Sequence, residues 1–228
     1  MEEAIKAQAP IEVIMFNLDK ERPNNLIDAA GSLDIEWIAV SQGVLEKCSD
    51  TQTPQGIIAV VQKQPLAVQD MLTFSDDLVV VIDGIQDPGN LGTIIRSADA
   101  VGAHGVILGA GTVDLYNPKT IRSTMGSLFH LPIIEADLME LLPLAREKGI
   151  GLVTTSLQAK RSCYEADLTQ PTWLIMGNEA KGVSAKVAEL SDVQVIIPMQ
   201  GQAESLNVAM AATVLLFEAS RQRGVQRK

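Results

Sequence analysis

The chain has 228 residues, 46% of them apolar, and a formal charge of −10. That length allows one good core or a small one beside a larger one, and that charge argues against a protein that coats nucleic acid through a broad basic surface. No cationic stretch precedes an apolar one in the opening "MEEAIKAQAP", no apolar run approaches the ~18–20 residues of a membrane span, and two distant cysteines, Cys48 and Cys163, have only His104 and His130 to help them, so a cytoplasmic protein with no membrane partner, no disulfide framework and no metal site is expected.

In chain order, "IEVIMF", "NNLIDAAGS", "IEWIAVS", "GVLEKCS" and "GIIAVVQK" alternate strand and helix between Gly, Pro, Asn and Asp signals and read as a compact α/β unit. "QPLAVQDMLTFSDD" breaks the rhythm with a proline and an acidic pair, which places a linker near residues 64–77 and divides the chain into a first domain, 1–74, and a second, 75–228. From there the order is strand, loop, helix: "LVVVID", "NLGTIIRSADAVG", "GVILG", "DLMELLPLAREKG", "GLVTTS", "TWLIMG", "VQVIIPM" and a final helix "SLNVAMAATVLLFEASRQR". Short β-branched runs separated by helices predict buried parallel strands in an open α/β sheet. Ligands of such sheets sit beyond the carboxyl ends of the strands, so a site is expected in the loops after Asp83, Ser156, Gly177 and Met199.

Three of these loops carry polar residues. "DGIQDPGNLGTIIRSADAVGA" turns from strand to helix through glycines, yet their spacing makes neither GxGxxG nor a P-loop. On that helix Leu91, Ile94, Ile95 and Ala98 form the buried stripe, which leaves Arg96 about 140° from Leu91 at 100° per residue. It is either a solvated arginine or a ligand-facing one, and Asn90 is either a helix cap or a site residue. In "LIMGNEAKGVS", Gly177 permits close backbone approach, and Glu179 either reaches a ligand or complements the dipole of the helix read in "KGVSAKVAEL". In "IIPMQGQAESLNVAMAATVLLFEA", Ser205 is placed to cap the last helix, while the small face of Ala209, Ala211 and Ala212 predicts very close packing.

Together the three segments resemble the three motifs of the SpoU branch of the SPOUT superfamily, the tRNA and rRNA 2′-O-ribose methyltransferases. "STMGSLFHLPI" is similar to the family's stretch between motifs 1 and 2, and "TPQGIIAVV" to part of its first domain. The resemblance implies a small α/β RNA-binding-like domain followed by an α/β domain whose end threads a deep trefoil knot, against the general rule that chains are unknotted. It implies a homodimer, S-adenosylmethionine as cofactor, and RNA as substrate, with rRNA ahead of tRNA because the first domain resembles the rRNA-type appendage. Gly177, Ile197 and Leu206 correspond to the main cofactor contacts, with Ser156, Leu157, Asn178 and Met199 lining the pocket, so that the strand would end at Gly177 to give the cofactor room. Asn90, Arg96, Glu179, Ser205 and Asn207 match the polar active-site positions. A guanidinium stays protonated and is a poor base in isolation, so Arg96 is read as an alkoxide stabiliser and phosphate clamp, with a base activated by its surroundings as the alternative.

The chain enters its first strand directly after "MEEAIKAQAP", so the first domain is expected to lack a leading helix. Through Ser75 it carries five Lys or Arg against eleven Asp or Glu. The competing expectation for the whole is a non-catalytic knotted RNA-binding or ribosome-assembly protein, against which the five polar positions stand.

Overall fold

The computed structural model describes residues 1–31, 33–49, 56–63, 66–72 and 78–224, which form two compact units, Met1–Pro65 and Leu66–Lys228. Of the expected linker, residues 64, 65 and 73–77 lie outside the described residues, as do 225–228 of the basic tail. Among the described residues no helix is long and apolar enough to cross a membrane.

The first unit runs α1 (Glu2–Lys6), β1 (Ile11–Asn17), α2 (Asn24–Ala30), β2 (Glu36–Val40), α3 (Gln42–Lys47) and β3 (Ile57–Val61). α1 is a short segment of five residues that precedes β1 and buries Ala4 and Ile5. Its acidic first turn and basic last turn suit the helix dipole, and Lys6 Nζ reaches Glu3 Oε1 at 2.8 Å. The sheet is mixed, in the order β2-β1-β3, with β1 parallel to β2 and antiparallel to β3.

The second unit runs β4 (Leu78–Asp83), α4 (Pro88–Ala100), β5 (Gly105–Leu108), α5 (Pro118–Thr124), β6 (Ile133–Glu135), α6 (Leu138–Glu147), β7 (Gly151–Thr155), β8 (Arg161–Ser162), β9 (Thr172–Gly177), α7 (Ala185–Leu190), β10 (Val193–Ile196) and α8 (Val208–Gln222). A 3-10 turn at Val68–Leu72 precedes β4 and buries Met71 in this unit's core. The seven strands are ordered β6-β5-β4-β9-β7-β10-β8 and pair in parallel throughout. β4 and β9 lie inside the sheet and are buried on both faces, which is why they read as unbroken apolar runs.

Two clusters of buried side chains flank the sheet. One joins alternate residues of β4 to α4 and α8; the other joins the opposite set to α6. Leu91, Ile94, Ile95 and Ala98 of α4 are all fully buried, as their spacing predicts. Gly92 lets α5 come close, since a Cβ there would lie 2.4 Å from Ser123 Cβ and 2.8 Å from the Thr120 carbonyl oxygen. α8 lays Ala209 and Ala212 into the core, and its Thr213 hydroxyl meets that of Ser97 on α4 at 2.7 Å.

The last turns of α8 are tied down by a polar lock. Buried Glu218 accepts two hydrogen bonds from Arg221 and one from Gln222, each 2.8 Å, while Gln222 also accepts from Leu168 N at 2.8 Å and donates to the Ala166 carbonyl at 3.0 Å. The Arg221 hydrogen bonds outweigh burial and, with Gln222, hold the Glu218 carboxyl down to about 2. A carboxylate depressed on folding contributes stability that is present above its unfolded value and is lost as pH falls through its folded one. The stability gap between the native chain and Glu218→Gln, measured by denaturant midpoint, is therefore expected to be constant from pH 7 to 5 and to shrink from pH 5 toward 2. A gap independent of pH would show that the lock works by shape alone.

Candidate active site

β4 and β9 are neighbours in register up to Asp83 opposite Gly177, so their exit loops emerge side by side at the carboxyl edge of the sheet. Asn178 Nδ2 donates to the Gly84 carbonyl at 2.8 Å, and Ser184 N donates to Asp83 Oδ2 at 2.6 Å. The β9 exit then doubles back on itself, with Asn178 and Gly182 exchanging backbone hydrogen bonds of 3.0 and 2.9 Å. Gly177, which lines the cavity, also has a reason within the chain itself. A Cβ at that position would lie 2.1 Å from both Gly182 C and Val183 N, so the space is taken by the chain's own turn. The glycine is required before any ligand arrives.

Beneath these loops lies a cavity of about 480 Å³, within the range of small-ligand sites. The carboxyl ends of β7, β9 and β10 and the loops after them build its wall. Ser156, Leu157, Gly177, Asn178, Ile197, Met199 and Leu206 all line it, and so do Glu179 and Ser205. Asn90, Arg96 and Asn207 are not among its lining residues.

Asn90 and Asn207 instead join Glu179 in a hydrogen-bonded chain. Asn207 Nδ2 donates to Asn90 Oδ1 at 3.0 Å, and Asn90 Nδ2 donates to Glu179 Oε1 at 3.0 Å. The same carboxylate accepts from Asp87 N at 3.0 Å and Gln86 N at 3.2 Å. A carboxylate only accepts, so Glu179 fixes which end of the Asn90 amide faces it, and Asn90 in turn fixes Asn207. Asn207 completes the series by accepting from Ala209 N at 2.9 Å and Met210 N at 3.3 Å as the N-cap of α8.

Three local expectations are corrected by this arrangement. The cap of the last helix is Asn207, two residues beyond Ser205, because the backbone becomes helical only at Val208. The cap of α4 is Asp87, whose Oδ1 accepts from Asn90 N at 2.8 Å, so Asn90 sits inside the helix with its side chain free for Glu179 and Asn207. Glu179 does favour a helix N-terminus, but that of α4, through the amides of Gln86 and Asp87, rather than that of α7. Burial alone would raise the Glu179 carboxyl, yet its hydrogen bonds with Asn90 and with the amides of Asp87 and Gln86 prevail and hold it below the usual range.

Arg96 is exposed on α4, away from the buried stripe, and its side chain makes no hydrogen bond or ion pair among the described residues. Asp87 was readable as a cap from "DPGN", an acidic residue before a proline at the first helical position, but was passed over for Asn90. The hydrogen bond from Asn90 N, and then Lys119 with its Nζ 3.3 Å from Oδ2, keep the Asp87 carboxyl below its ordinary value. Lys181 and Glu204, which fall inside the second and third motif segments without a role expected for either, also line the cavity.

Fold and site define an α/β enzyme that holds a cofactor beyond the carboxyl ends of parallel strands. The chain belongs to the SpoU rRNA methylase family, which matches residues 77–217, while an RNA 2′-O ribose methyltransferase substrate-binding domain matches residues 1–67. It is 36% identical over 217 residues to the 23S rRNA (guanosine(2553)-2′-O)-methyltransferase RlmP of Bacillus subtilis, covering 95% of this chain and 84% of that one. It is 35% identical to the 23S rRNA (uridine(2479)-2′-O)-methyltransferase of Streptomyces viridochromogenes, covering 96% and 79%. The crystal structure of the SpoU methyltransferase AviRb from Streptomyces viridochromogenes in complex with the cofactor AdoMet superposes with a TM-score of 0.88 at 36% identity, covering 99% of this chain and 88% of that one. The reaction class is thereby fixed as S-adenosylmethionine-dependent RNA 2′-O-methyl transfer. The family also implies the trefoil knot.

The residues present fit that cofactor. The cavity volume suits a nucleoside carrying an amino-acid tail, and its wall mixes apolar Leu157, Ile197 and Leu206 with polar Thr155, Ser156 and Gln194.

Proposed function

We propose that this protein methylates a ribose 2′-hydroxyl of ribosomal RNA, with a second domain, residues 75–228, that holds cofactor and chemistry and a first domain, residues 1–74, that chooses the RNA. The observation that carries the reading is the Asn207–Asn90–Glu179 chain, because it ties all three motif loops together beside a cavity of cofactor size. When bound, S-adenosylmethionine supplies an electrophilic methyl group. The chain's own residues then have to place the ribose, tolerate or remove its proton and keep the loops in position.

On this reading Gly177, Ile197 and Leu206 hold the cofactor, with Ser156, Leu157, Asn178 and Met199 around it. Arg96, without a hydrogen bond or ion pair among the described residues, stabilises the developing alkoxide or grips an adjacent phosphate. Glu179 is a poor base, because its carboxyl is held low, and it acts by orienting Asn90. Ser205 lines the cavity near the reacting groups, and Asn207 both caps α8 and restrains Asn90.

The proposed assembly is a homodimer formed by the second domain. Met210 and Phe217 of α8 are 50% and 53% exposed and, seven residues apart, share one helical face. Light scattering at micromolar concentration is expected to give about twice the chain mass of 24.5 kDa, and Phe217→Glu to shift it toward that of one chain. An active monomer would remove the dimer from the reading.

The decisive test is a map of 2′-O-methyl positions in rRNA and tRNA from cells with and without the protein. Loss of an rRNA site supports the reading; loss confined to tRNA, or no loss, contradicts it. Binding is checked separately by thermal shift, in which S-adenosylmethionine is expected to stabilise the fold and NADH to leave it unchanged.

A further inference from the structure

Ionised side chains are rare in the cavity wall: only Glu179, Lys181 and Glu204 among the lining residues carry one. They are not equivalent. The carboxylate of Glu179 already accepts from Gln86 N, Asp87 N and Asn90 Nδ2. Lys181 and Glu204 are both exposed, and neither side chain makes a hydrogen bond or ion pair among the described residues. They also come from different loops, Lys181 from the turn after β9 and Glu204 from the segment between β10 and α8.

We infer that Lys181 and Glu204 recognise the amino-acid end of the cofactor, the ammonium of Lys181 facing its carboxylate and the carboxylate of Glu204 facing its ammonium. The inference rests on the cofactor reading of the cavity and gives charged partners to the amino-acid end of the ligand, which the apolar and neutral polar wall residues leave without any. One unpartnered cation and one unpartnered anion on separate loops match a zwitterion, which carries the same two charges on adjacent carbons. The lysine is also held ready. Asn178 Oδ1 accepts from Ala180 N at 3.0 Å and from Lys181 N at 3.1 Å, so the backbone that presents Lys181 is fixed in a turn.

The test is calorimetry with two neutral-sulfur ligands: S-adenosylhomocysteine, which has the amino-acid end, and 5′-methylthioadenosine, which has the same nucleoside and thioether without it. The native chain is compared with Lys181→Met and Glu204→Gln, whose exposed positions leave folding intact; thermal unfolding confirms this. Each substitution is expected to weaken S-adenosylhomocysteine about threefold to tenfold, as suits partly solvated charge pairs, and to leave 5′-methylthioadenosine within twofold. Raising the salt concentration is expected to reduce the difference between the two ligands. Equal losses for both ligands, or no loss for S-adenosylhomocysteine, would overturn the inference. So would a Lys181→Met chain that binds S-adenosylhomocysteine normally and RNA poorly, which would assign the lysine to substrate phosphate. If the native chain binds neither ligand, the cofactor reading of the cavity fails with it. If it binds both and the substitutions are silent, only the charge recognition fails.

Discussion

Arg96→Ala is expected to lower the single-turnover rate of methyl transfer by about 10²–10³ while changing stability by less than about 0.5 kcal/mol. The two halves of that expectation come from the same fact. Arg96 projects from α4 away from the stripe of Leu91, Ile94 and Ile95 and has no hydrogen bond or ion pair among the described residues, so folding gives it little to lose. A guanidinium without a partner among the described residues is instead available for charge that exists only as the reaction proceeds. Cofactor affinity should hold, since Arg96 does not line the cavity. Arg96→Lys separates the two roles: a point charge partly stabilises an alkoxide but cannot reproduce a bidentate grip on phosphate. Wild-type rates in Arg96→Ala would return the residue to solvent.

Glu179→Ala should be nearly as damaging, at about 10²-fold in rate, by a different route. It leaves the amides of Gln86 and Asp87 without their acceptor and frees Asn90 to rotate, and a misplacement on the order of 1 Å suffices for such a loss. Glu179→Gln should recover part of the loss, because its one carbonyl oxygen can still accept from Asp87 N and Asn90 Nδ2 while its NH2 group is left facing the Gln86 amide. A base and a positioning residue also differ in their pH dependence. With its carboxyl held below the usual range, Glu179 stays ionised across neutral pH, and the rate of the native enzyme should show no limb from it between pH 6 and 8. A limb there that vanishes in Glu179→Gln would restore the base assignment.

Sequence periodicity was informative wherever a residue's environment is set by its own element. The stripe of α4 and the doubly buried runs of β4 and β9 follow directly from which neighbours recur at 3.6 or at every residue. The motif resemblance brought seven scattered residues to one cavity wall. What it could not supply was the identity of partners distant in the chain. Glu179 reaches Asp87, 92 residues away, and nothing near it in sequence distinguishes that helix end from the adjacent one. That Gly177 also makes room for the chain's own turn, through Gly182 and Val183, is visible only once folded. The caps failed for a smaller reason: Ser205 and Asn207, or Asp87 and Asn90, are each chemically able to cap, and the backbone decides between them. The two- and three-residue strands β8 and β6 carry too few residues for any period.

The paired exits of β4 and β9 have a consequence for amide hydrogen exchange. Surface loops ordinarily open one at a time at little cost, and their amides exchange almost as in an unfolded chain. Here the amides of Gln86, Asp87 and Ser184 are each held by an acceptor on the other loop, and Asn178 holds Gly84 in return. Neither loop can expose its amides without releasing its neighbour's, so the two form one cooperative opening unit and their protection rises and falls together. Any opening of the β9 turn therefore also loosens the entrance to α4, the helix that bears Arg96.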